Sequence, residues 1–333
     1  MPQMGHRQNF AIALFVTVGL CAAGVIFVAQ RSTAAQQAPA VQQQNAVGAA
    51  SAAEPPKVII HALNKRVYWV EGPGPLTRGD TNDGIIVGDN GVILFDTKST
   101  IDAEKAVIAE IEKITSKPVT HIIISDSDGD KLSGLPAFPK GLTIIAQENC
   151  KKEMEDSAAE GGRGAASPDY LPTKSIDKDE TLTIDGVRVR LLHWAPAHSD
   201  GEVAMYLPDD KIVFTGDLLL SHYVALSPTL HMDKGGSATG WVASMEGLSA
   251  LDADTFIAGH GDVVNKAEMV SRTTAAEQEM ARVKPLVQQG KSLAEIKQTL
   301  EETTPYTAPG GRGPRLSLVD YIYEEITNTR VQP

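Results

Sequence analysis

The sequence predicts an α/β fold in which two sheets pack face to face with helices on their outer sides. Three observations point there. From Val58 onward, short β-branched or alternating blocks bounded by Gly, Asn and Asp alternate with segments of helical spacing. Two hairpin signals follow one another, Asp185-Gly186 and Pro208-Asp209-Asp210. Ligand-type side chains end several of these apolar blocks, so a layout that aligns strand ends would gather them along one edge.

Strands are expected at Val58–His61, Arg66–Val70, Gly84–Val87 and Val92–Asp96. A helix follows over Ile101–Ile114, where Ala103, Ala106, Val107, Ile111 and Ile114 recur at helical spacing. Val119–Ile124 and Leu142–Ala146 read as strands and Glu148–Ala159 as a helix. Thr181–Ile184 and Val187–His193 form a hairpin, with Asp185-Gly186 as a type I′ turn. Val203–Leu207 and Lys211–Thr215 form the second hairpin, Trp241–Leu251 a helix and Thr255–Ala258 a strand. Three helices close the chain: Ala267–Gln289, Ser292–Glu301 with Ser292 and Glu295 as a capping box, and Leu316–Thr327. Their amphipathic faces serve packing on the domain, with a dimer contact as the alternative; the sequence leaves the oligomeric state open.

Three regions divide the chain. Residues 1–31 carry the apolar run Phe10–Ala29 between Arg7 and Arg31. About twenty apolar residues suffice to cross a bilayer core, and signal-peptide cores are shorter, so an anchor is expected, with a cleaved signal peptide as the alternative. Residues 32–56 are rich in Ala, Gln and Pro and read as a disordered tether. The remainder, 57–333, is long enough for one large domain including its C-terminal helices at about 267–327. The expected location is the cell envelope or periplasm, tethered to the membrane by residues 10–29. A net charge of −12 and the absence of basic stripes exclude nucleic acid as a partner. With Cys21 in the apolar run, Cys150 stands alone and no disulfide is expected within one chain.

The densest chemistry is the loop Ser125-Asp126-Ser127-Asp128-Gly129-Asp130-Lys131, directly after Val119–Ile124. Carboxylates this close raise each other's pKa unless a cation or strong donors neutralise them. An EF-hand loop needs glycine at its sixth position and glutamate at its twelfth, and counting from Asp126 these are Lys131 and Ala137. That calcium reading fails. Downstream stand Ala197-His198-Ser199-Asp200-Gly201-Glu202, then Phe214-Thr215-Gly216-Asp217, then Gly259-His260-Gly261-Asp262; upstream are Asn82–Gly88 and Gly91–Thr97.

In this order and spacing, Val58 to Val264 resembles the metallo-β-lactamase fold superfamily, which implies an αββα sandwich. The family's loop, T-H-x-H-x-D-H-x-x-G, meets Asp126, Asp128, Asp130 and Lys131 in this chain. The aspartate is kept as Asp130, while all three loop histidines are replaced. His198, Asp217 and His260 match the family's other ligands. The resemblance implies Asp126, Asp128, Asp130, His198, Asp217 and His260 around a divalent metal, with Asp130 orienting a metal-bound hydroxide in hydrolysis. It implies zinc; the oxygen-rich donors also suit manganese or magnesium. Lys131 has no lone pair while charged and would instead take the second cation's place, pairing with Asp130 and Asp217.

Three readings follow: a mononuclear enzyme, a site adapted to a harder ion, and a pseudoenzyme without metal that acts as a binding or scaffold protein. A carboxylate-rich shell makes a weaker Lewis acid, so turnover at neutral pH should be slower than with a full histidine set. The expected substrate is a small ester, thioester, lactone or β-lactam; the fold alone does not choose among them. Asp130 could also be an ordinary helix N-cap, and His193 and His222 ordinary core or surface histidines.

Overall fold

Apolar side chains alternate along each strand, and the faces they choose set the order of layers. The computed structural model describes residues 58–72, 81–162, 164–221, 227–302, 306–307 and 314–332. The first sheet contains, in spatial order, β1 (Ile59–Ala62), β2 (Val67–Glu71), β3 (Asp83–Val87), β4 (Val92–Phe95), β5 (Val119–Ile123), β6 (Thr143–Gln147) and β7 (Lys174–Ile176). Pairing is antiparallel from β1 to β4 and parallel from β4 to β7. The second sheet contains β8 (Glu180–Ile184), β9 (Val187–Leu192), β10 (Ala204–Leu207), β11 (Ile212–Phe214), β12 (Thr255–Ile257) and β13 (Val264–Asn265), with β11 and β12 parallel.

Between the sheets, Ile86, Ile93, Phe95 and Ile123 meet Val189, Leu191, Met205 and Phe214. The Phe95 and Phe214 rings lie 5.8 Å apart at 41°, and burying each is worth about 1.5–3 kcal/mol. Gly84 makes this possible, because a Cβ there would stand 2.8 Å from the Phe214 ring. On the outer face of the first sheet, Ile85, Leu94, Ile122 and Ile144 pack under α1 (Ile101–Ile114) and α3 (Glu148–Glu160); a four-residue helix, α2 (Gly129–Leu132), lies between those two in sequence. On the far side of the second sheet, Tyr206, Val213 and Phe256 pack under α4 (Ala238–Ala250), α5 (Lys266–Gln288) and α7 (Leu318–Thr327), with α6 (Leu293–Thr299) between the last two in sequence. The layers therefore run αββα.

Local chemistry explains the boundaries. Thr100 caps α1 by accepting from the Ala103 amide, and Ser292 and Glu295 form a capping box on α6. Asp185 and Gly186 both have positive φ, 50° and 78°, as a type I′ turn requires. β7 and β13 have no counterpart among the expected strands; each is two or three residues long and lies at a sheet edge. The N-cap of α2 is Asp128, without a side-chain capping bond, and Asp130 lies in the first turn. The N-cap alternative for Asp130 is thus corrected.

The expected membrane segment and tether, residues 1–56, and His222 lie outside the described residues. Among the described residues no helix is long and apolar enough to cross a membrane.

Candidate metal centre

The site forms where β4, β5, β11 and β12 end along one edge and their loops fold over one another. Cross-links fix that edge. Val203 N donates to Ser125 O at 2.9 Å, Gly259 N to Gly216 O at 2.9 Å, and the Asn82 side-chain amide to Ala258 O at 2.8 Å. The approach is close enough to demand glycine. A Cβ at Gly259 would stand 2.2 Å from Asp217 Oδ1, and Gly216 adopts φ 56° beside the Ser125 side chain.

The aspartate loop begins with Ser125 N donating to Asp96 Oδ1 at 2.7 Å. Asp96 is itself buried with φ 62°, and burial pushes its carboxyl well above the usual range despite Lys131. Asp126 accepts from Asp128 N at 2.9 Å and from Ser125 Oγ at 3.0 Å. Burial pushes its pKa up as well, with the Lys131 charge opposing.

Lys131 is fully buried. Its carbonyl accepts from Thr97 N at 3.0 Å and Thr97 Oγ1 at 2.8 Å, which aims the side chain inward. Its Nζ lies 2.9 Å from Asp217 Oδ1, 3.3 Å from Asp130 Oδ2 and 3.3 Å from His260 Nε2. His260 Nε2 stands 3.0 Å from Asp130 Oδ2. Burial works to discharge the ammonium, but Asp130, Asp217, Asp126 and Asp96 outweigh it and hold its pKa well above the usual lysine value. Burial likewise works against ionised Asp130 and Asp217; Lys131 with His260 overcomes it and holds both carboxyls below the usual range.

Asp128 has its two oxygens in different surroundings. Oδ1 accepts from Lys234 Nζ at 2.7 Å. Oδ2 lies 2.8 Å from His231 Nε2 and 3.4 Å from His198 Nε2. Burial would raise this carboxyl, but the two imidazoles hold it far below its ordinary value. His198 is 1% exposed. Its Nδ1 lies 2.8 Å from Thr229 O, and a carbonyl only accepts, so Nδ1 carries the hydrogen. That leaves Nε2 facing the carboxylates without a well-formed hydrogen bond. His198 N donates to Glu202 Oε2 at 3.1 Å, and Glu202 is pushed well above the usual range by burial.

The structure thus brings Asp126, Asp128, Asp130, Lys131, His198, Asp217 and His260 into one connected cluster. Sequence reasoning missed His231, Lys234, Glu202 and Asp96. Glu202 and Asp96 stood in the quoted segments, but His231 and Lys234 come from a short turn whose only local signal is Gly235-Gly236. His193 binds the Glu202 carbonyl through Nδ1 at 2.7 Å and takes no direct part.

Two groups offer ligand atoms within 4.8 Å of one another: Asp126, His198 and Asp217, and Asp128, His198 and His231. A second metal beside Asp130 and Asp217 does not fit, because the Lys131 ammonium already stands there. One divalent ion beside His198 does fit, since its Nε2 is free of any good donor or acceptor. Burial works against a charged His198, but Asp128 and Glu202 overcome it and hold its pKa well above the usual value, so an ion bound there displaces a proton.

The sequence model of the metallo-β-lactamase superfamily matches residues 76–260, more than half of the chain. The chain belongs to this superfamily. As a metallo-β-lactamase-superfamily protein, it is 25% identical over 224 residues to a linear primary-alkylsulfatase of Pseudomonas sp. (strain ATCC 19151), covering 56% of this chain but 42% of that relative. The chain therefore spans less than half of that enzyme. Among solved structures, it resembles the sec-alkylsulfatase Pisa1 from Pseudomonas sp. with TM-score 0.58 and 17% identity, over 80% of this chain and 50% of the other. A metallo-β-lactamase from Pontibacter korlensis gives TM-score 0.55 and 18% identity, over 66% and 99%. These structural likenesses establish the superfamily's fold.

Proposed function

We propose that this chain is a hydrolase of small ester-class substrates that works with a single divalent cation beside His198. The observation that carries the proposal is the His198 imidazole, pinned through Nδ1 and turned with Nε2 into the carboxylates. The hydrolases among its relatives support it, the alkylsulfatase included. Carbon-centred esters, thioesters, lactones and sulfate esters are the substrate classes to screen.

Bound there, a cation would supply a Lewis acid that polarises the ester and lowers the pKa of water. The remaining work falls to the chain. Asp130, ionised and about one-fifth exposed, accepts a hydrogen bond from an attacking water and orients it, with its charge fixed by Lys131 and His260. Because Lys131 and His260 hold Asp130 below the ordinary carboxylate range, it orients well but removes a proton poorly. Slow turnover at neutral pH follows. The apolar run Phe10–Ala29 supports an exported, membrane-tethered location for this activity.

A second reading, a silent binding or scaffold protein, is favoured by one observation: Asp128, which would stand in for a loop histidine, is already paired with Lys234 and His231. Elemental mass spectrometry of the full-length chain purified without added metal, then titrated with zinc, manganese and magnesium, separates the two. One equivalent of metal, together with hydrolysis lost in His198→Ala, supports the enzyme. No metal at micromolar free ion supports the silent protein.

A further inference from the structure

Three loop histidines are replaced in this chain, yet a histidine from elsewhere reaches the loop at Asp128. His231 follows Leu230 in the segment between β11 and α4. Its backbone is fixed to that of His198, with His231 N donating to His198 O at 2.7 Å, and the two rings meet edge-on at 4.7 Å. Both imidazoles turn Nε2 toward the same atom, Asp128 Oδ2.

We propose that His231 is a metal ligand, completing with Asp128 Oδ2 and His198 Nε2 a two-imidazole, one-carboxylate site. This rests on the single-cation reading above and says where that cation sits. Four observations separate it from the alternative group of Asp126, His198 and Asp217. Asp217 Oδ1 is held by Lys131 at 2.9 Å. Both oxygens of Asp126 are engaged within its own loop, by Ser125 Oγ and Asp128 N. Lys234 neutralises Asp128 through Oδ1 alone and leaves Oδ2 to the imidazoles. His198, 1% exposed, aims an unbonded Nε2 into the group, while His231, about one-third exposed, gives an ion a way in.

Distances are compatible with an ion. Bonds of about 2.0–2.1 Å in a tetrahedral site place ligand atoms ~3.3 Å apart. The His198 Nε2 to Asp128 Oδ2 separation is 3.4 Å; the His231 Nε2 separation is 2.8 Å, so an ion would need the more exposed ring to stand about 0.5 Å further out. Two nitrogen donors shift preference from magnesium and manganese to zinc or cobalt.

The test is titration of the full-length chain with Zn²⁺ and Co²⁺ by calorimetry, with the Co²⁺ visible spectrum as a second readout. Wild type should take up one equivalent. His231→Ala and His231→Gln should each weaken binding by at least about tenfold, since even outer-shell changes cost 10–100-fold, and should change the Co²⁺ spectrum. Asp126→Asn and Asp217→Asn should each weaken binding less than His231→Gln does. The Gln variant, checked by circular dichroism without metal, covers the case in which the Ala variant does not fold. One equivalent in wild type with unchanged affinity in His231→Gln overturns the assignment but leaves the single-cation reading standing. No uptake in wild type overturns both.

Discussion

Lys131 Nζ lies 2.9 Å from Asp217 Oδ1, with the lysine fully buried and the aspartate nearly so. The pair joins the loop after β5 to the loop after β11, and so joins the two sheets at the edge where the site forms. Removing one partner of such a pair strands the other charge away from water. Lys131→Met should therefore cost about 3–5 kcal/mol in urea unfolding. Unchanged stability would mean that the ammonium does not neutralise the cluster.

Lys131→His should create a second metal position, because it replaces an ammonium by a neutral donor beside Asp130, Asp217 and His260. Elemental mass spectrometry should show metal per chain rising by one equivalent over wild type at saturating zinc. An unchanged ratio would refute the view that Lys131 stands in a cation's place.

Gly259→Ala should cost about 1–3 kcal/mol through overpacking, since its Cβ would fall 2.2 Å from Asp217 Oδ1. Thermal unfolding of the variant measures this, and Gly290→Ala is a useful contrast. Gly290, unlike Gly259, has positive φ and nothing near its Cβ, so its cost comes from the backbone alone.

Acid should weaken the fold through Asp128, Asp130 and Asp217. Burial would raise these carboxyls, but His198 and His231 at Asp128, and Lys131 with His260 at the other two, bring all three below the usual range. A depressed folded pKa gives stability that is complete above the unfolded value of about 3.9 and is lost as pH falls below it. Asp96, Asp126 and Glu202 act in the opposite sense, because burial raises them and their ionisation costs stability as pH rises past about 4. Between pH 7 and 2, Asp217→Asn should lose less urea stability toward acid than wild type does, because it lacks one depressed carboxyl. Equal slopes in the two proteins would contradict the assignment.

Much of this architecture was legible in the sequence because local signals agreed with one another. The Asp185-Gly186 turn, the Ser292-Glu295 capping box and the periodicity of Ile101–Ile114 each act within a few residues, and each appears in the structure. The ordered appearance of the aspartate loop, His198, Asp217 and His260 located the edge where the loops meet. What remained hidden depends on long-range contact. Nothing near Leu230 announces that His231 will reach Asp128, 103 positions earlier in the chain. The burial of Lys131 depends on Thr97 holding its carbonyl from another strand's end. Edge strands such as Val264–Asn265 are too short to carry a pattern of their own.

One of the positive charges in this centre is covalently part of the protein. A chelator can strip a dissociable ion but cannot extract Lys131, so the half of the centre around Asp130, Asp217 and His260 keeps its shape however scarce metal becomes. On the single-cation proposal, loading is the filling of an assembled cleft, and depletion should silence the protein without unfolding it.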